Sequence, residues 1–89
     1  MSKTEILIDT SELRSSELNL ELAKFLEEKT GGKAEIADAE IRLRNVNVRK
    51  PYLRVLVRKF LHREDLKEDF RVIINGEKLI VKERKFSSS

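Results

Sequence analysis

Eighty-nine residues, 39% of them charged, with no cysteine and a single histidine, describe one small domain with a modest core. That composition excludes a disulfide framework, a thiolate zinc site and a cysteine nucleophile. The longest apolar runs, three residues, fall far short of a membrane span, and with no signal-peptide pattern at the start a cytoplasmic protein is expected. The formal charge of +3 is unevenly distributed: residues 1–40 carry five basic and ten acidic groups, residues 41–63 eight and none, and residues 64–89 six and six. One markedly positive face is therefore expected. Dense Lys, Arg and Glu with few Gly, Pro and Met also suit a heat-adapted source.

Thr4 to Asp9 reads as a short strand with Ile6 and Ile8 on one face and Leu7 on the other. From about Glu17 to Thr30, Leu18, Leu22, Phe25 and Leu26 recur at helical spacing. Ser15 or Ser16 would cap this helix, and Gly31-Gly32 would end it. Its acidic side reads as solvated surface, with a basic neighbouring protein as the alternative. Lys33 to Ile36 can form a brief strand, and Ala37 to Glu40 a turn. Ile41 to Val48 alternates as a strand with one irregular point near Asn45, which places Arg42 and Arg44 on its polar face.

Pro51 favours a helix start, and the residue before it favours extended backbone, so a strand through Val48 would lead straight into a helix. Within that helix Leu53, Leu56, Val57 and Phe60 form the expected buried stripe. Arg54, Arg58, Lys59 and His62 take the opposite side. Arg54, Arg58 and His62 lie four residues apart, as do Lys59 and Arg63, so like charges stack and weaken an isolated helix. Arg49 and Lys50 sit at the positive end of the helix dipole, unfavourable for the helix but suited to phosphate. An external anion explains this uncompensated charge. Tyr52 and Val55 flank the polar arc, where Tyr52 could stack on a base or ribose or else pack at the edge of the core.

Glu64 to Asp69 reads as an acidic connection anchored by Leu66. Asn75-Gly76 between two apolar alternating runs predicts a β-hairpin. A two-residue loop there would set Val72 opposite Leu79 and Phe70 opposite Val81. Lys82, Arg84 and Lys85 form a secondary basic patch, and residues 87–89 read as a flexible tail. The expected fold is one α+β domain over residues 1–86, in the order β-α-β-β-α-β-β, with two helices on one face of a largely antiparallel sheet.

Catalytic chemistry has little to build on. His62 lies among cations, an environment suited to phosphate contact or plain exposure. Asp9, Glu12 and Asp38 fall at element ends, where turns and caps account for them. Metal binding lacks a His or Cys pair, and Gly31-Gly32 lacks the Lys and Ser or Thr of a phosphate loop. No enzyme, cofactor, small-molecule substrate or membrane partner is expected.

The segment from Lys50 to Val72, KPYLRVLVRKFLHREDLKEDFRV, resembles the eukaryotic-type large-subunit ribosomal protein 22 family. That family has Tyr-Leu-Lys-Tyr-Leu after a basic residue, a K-K-Y-L-K-K hexad, a short acidic or amide connection and an Arg-Val-Val strand. Tyr52, Leu53, Arg54 and Leu56 match the first part, Arg58 to Arg63 the hexad, and Leu66, Phe70, Arg71 and Val72 the remainder. ILIDT and FLEEKTGGKA are similar to the family's first strand and first helix. The segment between the first helix and the third strand is shorter here, and His62 replaces one hexad lysine, so a compact archaeal-like version is the expectation. The resemblance implies a cytoplasmic, ribosome-bound structural component that contacts large-subunit ribosomal RNA, with neighbouring ribosomal proteins as further candidate partners.

With many cations and one tyrosine, such a domain would read backbone shape and 2′-hydroxyls more than sequence. The RNA-binding set is Arg42, Arg44, Arg49, Lys50, Tyr52, Arg54, Arg58, Lys59, His62 and Arg63. A chromatin-like DNA-binding protein and a basic module for an acidic protein partner are the other classes left open.

Overall fold

The computed structural model describes residues 5–46, 48–76 and 78–84; Lys85 and the expected tail at residues 87–89 lie outside them. The elements are β1 (Glu5–Asp9), α1 (Ser16–Thr30), β2 (Lys33–Ala37), β3 (Glu40–Arg44), α2 (Lys50–Arg63), β4 (Phe70–Asn75) and β5 (Lys78–Glu83). They form an α+β fold with one five-stranded sheet in the order β2-β3-β1-β5-β4. Every pairing is antiparallel except β1 with β5.

Alternation in the strands gives the sheet two unlike faces. Ile6, Ile8, Ile41, Leu43, Val72, Leu79 and Val81 are buried on the inner face. They meet Leu22, Ala23 and Leu26 of α1 and Leu53, Leu56, Val57, Phe60 and Leu61 of α2 in one core. Helix α1 lies over β2 and β3, α2 lies over β4 and β5, and the two helices touch. Phe25 and Phe60 meet at that seam, with ring centroids 5.7 Å apart. Such aromatic pairs add stabilisation beyond the area they bury.

Helix α1 carries the caps its sequence suggests. Ser15, in extended backbone, accepts from the Leu18 N–H at 3.2 Å. At the other end Gly31 adopts φ 76° and donates its N–H to the Glu27 carbonyl, a conformation that costs glycine little. Gly32 is needed for a different reason. A Cβ there would stand 2.5 Å from Val46 Cγ1 and 2.6 Å from the Arg44 carbonyl, so its backbone packs directly against the end of β3.

Two local expectations are corrected. Strand β3 stops at Arg44, four residues before Val48, because Asn45 turns to φ 58° and breaks the ladder. Val46 is buried and Val48 half-buried, so they still contribute to the core as irregular chain. The hairpin register is the second correction. Val72 pairs with Val81, Phe70 with Glu83, and Asn75 with Lys78, so Asn75 is the last residue of β4 and not a turn residue. A shift of two residues keeps every side chain on its expected face. It also creates three consecutive apolar pairs, Val72 with Val81, Ile73 with Ile80 and Ile74 with Leu79, which favours it over the expected register.

Candidate nucleic-acid interface

Helix α2 turns its apolar stripe to the sheet and its cations outward. Arg49 is the N-cap residue, in extended backbone and without a side-chain capping bond, and the first turn contains no acid. The helix begins at Lys50, one residue ahead of Pro51. Arg54, Arg58, Lys59 and His62 are exposed along its length. Among the described residues, Arg63 with Glu64 is the sole ion pair made by α2, and no carboxylate lies within ion-pair distance of Arg49, Lys50, Arg54, Arg58 or Lys59. Among the described residues this positive surface is therefore not neutralised from within.

Tyr52 is 48% and Val55 45% exposed, so both belong to the outer arc and Tyr52 is not part of the core. Val55, Arg58, Lys59, His62, Arg63 and Lys67 line an open groove of about 670 Å³. It offers cations around an aliphatic floor, suited to a phosphate backbone with sugar carbons packed beneath. Lys67 is the groove residue that the sequence concealed. It lies in an acidic connection, and only the return of the chain after α2 brings it to the helix. Leu66 fixes that return, donating its N–H to the Leu61 carbonyl at 2.7 Å and packing on the core.

Three of the expected contact residues are engaged elsewhere. Ile41 and Leu43 face the helices, so Arg42 and Arg44 emerge on the opposite, outer face of the sheet. Arg42 Nε lies 3.1 Å from Glu5 Oε2 and its Nη2 3.8 Å from Glu40, while Arg44 reaches Glu5 at 3.8 Å and Glu35 at 3.6 Å. The first contact is an ion pair by distance without the alignment of a hydrogen bond, leaving the sheltered Arg42 Nε without a hydrogen-bond partner. Arg63 Nε lies 3.3 Å from Glu64 Oε2, and its guanidinium stands 5.3 Å from the centroids of both Phe25 and Phe60, bracing the helix seam. The expectation of one continuous positive surface spanning β3 and α2 is therefore corrected: strand alternation puts the two arginine sets on opposite sides of the sheet.

The secondary patch is partly visible. Lys82 is exposed on the outer face of β5, and Arg84 donates from Nε to the Phe70 carbonyl at 3.4 Å. The carboxylates at element ends have local duties. Glu12 accepts the Glu83 N–H at 2.7 Å, tying the β1–α1 connection to β5. Burial tends to raise the pKa of Asp9, but hydrogen bonding from Ser11 and the charge of Lys78 outweigh it and hold the carboxyl below its ordinary value. Among the described residues no His, Cys, Asp and Glu side chains gather in a group of three or more that could hold a metal, and no helix is long and apolar enough to cross a membrane.

No protein-family model matches this chain, and no curated protein matches it.

Proposed function

We propose that this protein is a structural RNA-binding component of the large ribosomal subunit, holding ribosomal RNA against the outward side of α2. The observation that carries the reading is the row Arg49, Lys50, Arg54, Arg58 and Lys59, without carboxylate partners among the described residues, on a helix whose first turn has the wrong charge for its dipole. A polyanion relieves both penalties at once. Tyr52 and Val55 on the same arc supply stacking and apolar contact of the kind RNA rewards. The resemblance of Lys50 to Val72 to the large-subunit ribosomal protein 22 family supports ribosomal RNA as the ligand, and with it a cytoplasmic, ribosome-bound location and ribosomal-protein neighbours. The role is one of shape recognition and scaffolding, not catalysis.

Sedimentation of cell lysate tests this directly. The protein should travel with large subunits in low salt and leave them in high salt, because each phosphate contact displaces counterions. A protein that stays at the top of the gradient in low salt would sink the ribosomal assignment. Competition between a structured RNA and a DNA duplex of equal length then tests the class of polyanion. Preference for the DNA would favour a chromatin-like role.

A further inference from the structure

The half of the sheet beneath α2 is also cationic on its other side. Val72, Leu79 and Val81 are buried against the helices, so alternation sends Arg71, Ile73, Asn75, Lys78, Ile80 and Lys82 to the outer face of the hairpin. Arg71 stands directly opposite Lys82 in the ladder, Ile73 opposite Ile80, and Asn75 opposite Lys78. Like charges placed directly across a sheet oppose pairing. Yet among the described residues neither Arg71 nor Lys82 has a carboxylate within ion-pair distance. Arg42 and Arg44, on the same outer face but both on β3, three strands away from β4, are each paired with glutamates. The chain thus neutralises arginines at one end of this face and leaves them bare at the other.

From this contrast we infer that the outer face of the β4–β5 hairpin grips a second phosphate backbone, so that the domain bridges two RNA segments, one on α2 and one on the hairpin. The inference rests on the RNA reading of α2 and extends it from a single contact to a cross-link. The two cationic surfaces point in opposite directions from the same half of the sheet, and a straight duplex lying along α2 does not reach Arg71 or Lys82. The half-buried Ile73 and Ile80 form an apolar floor against which sugar carbons can rest. The occupant is fixed by charge complementarity. A polyanion satisfies the Arg71–Lys82 pair; Lys78, farther along β5 on the same face, already has the Asp9 carboxylate near it.

The test is a two-duplex capture. One RNA duplex of about 16 base pairs is immobilised, the full-length protein is bound to it, and a second, fluorescent copy is offered at about 50 mM salt. The wild type should retain the second duplex. Arg71→Glu and Lys82→Glu each convert the like-charge pair into an opposite-charge pair, so each should melt no lower than wild type while losing second-duplex capture by about tenfold or more. First-duplex binding should change little in either variant.

Unchanged capture in both variants, or no capture by a well-folded monomeric wild type, would overturn the bridging role. A wild type that ignores the second duplex but holds poly-glutamate in an Arg71-dependent way would also overturn it, and would assign the face to an acidic protein. Failure of the α2 reading looks different: the variant Arg54→Glu with Arg58→Glu would then keep the first duplex.

Discussion

Helices α1 and α2 are similar in length, pack side by side on one sheet and share an aromatic contact, yet their N-terminal ends are finished in opposite ways. Helix α1 has a serine N-cap, an acid in its first turn, a lysine in its last and a glycine C-cap. Thr30 closes its end by donating to the Leu26 carbonyl and accepting the Gly32 N–H, and Glu27 reaches across to the Ala34 N–H of β2. Helix α2 has an uncapped arginine entry and no acid in its first turn. Each missing device would stabilise α2 by roughly 0.3 to 1 kcal/mol. A helix that forgoes them relies on its buried stripe for stability, and its outer surface is free to serve a ligand. On the proposed reading, one helix serves the fold and the other an external anion.

The sharpest way to break that contrast is to reverse charge on α2. Arg54→Glu with Arg58→Glu should weaken RNA binding on the order of 100-fold, taking each lost charge-assisted contact as about 1.5 kcal/mol, and should lower the salt slope by about 2. Its melting temperature should stay within a few degrees of wild type, because both side chains are exposed. Full RNA affinity in a filter-binding titration would end the assignment of α2 as the interface.

Gly32→Ala probes the opposite side of the comparison. Its Cβ would collide with the Arg44 carbonyl and Val46, so destabilisation of about 1 to 3 kcal/mol is expected, read as a lower urea midpoint. RNA affinity measured well below the melting temperature should be retained. Removing the α1 cap with Ser15→Ala should cost about 1 kcal/mol of stability and leave RNA binding unchanged.

The mirror experiment supplies the cap that α2 lacks. Arg49→Asp should raise stability by about 1 kcal/mol while weakening RNA binding several-fold, a trade of one property for the other. If stability and affinity rose together, Arg49 would have no part in anion binding. Arg42→Gln with Arg44→Gln should have the smallest effect, under about 1 kcal/mol on unfolding, as exposed ion pairs usually do. RNA affinity should remain within about twofold in that variant if these arginines serve the sheet.

Local physics was legible in the chain itself. Leu53, Leu56, Val57 and Phe60 at helical spacing marked the buried side of α2, though Leu61, at the margin of that stripe, also proves buried. Ser15, Gly31 and Pro51 marked helix ends because capping and φ restriction are properties of a few adjacent residues. The α2 part of the acid-free run, from Arg49 to Arg63, likewise announced a cationic helix side, whereas its β3 part, Arg42 and Arg44, proved to be paired with glutamates. What short-range patterns do not contain is which elements become neighbours and which way each face points. The parallel pairing of β1 with β5, the two-residue hairpin shift, the approach of Lys67 to α2 and the divergence of Arg42 and Arg44 from it all arise when a common core selects one arrangement of the strands. Where charge and apolar surface occur along the chain follows from residue order alone. Which charges are neutralised within the molecule and which face outward is settled on folding, because pairing depends on distances between residues far apart in the chain.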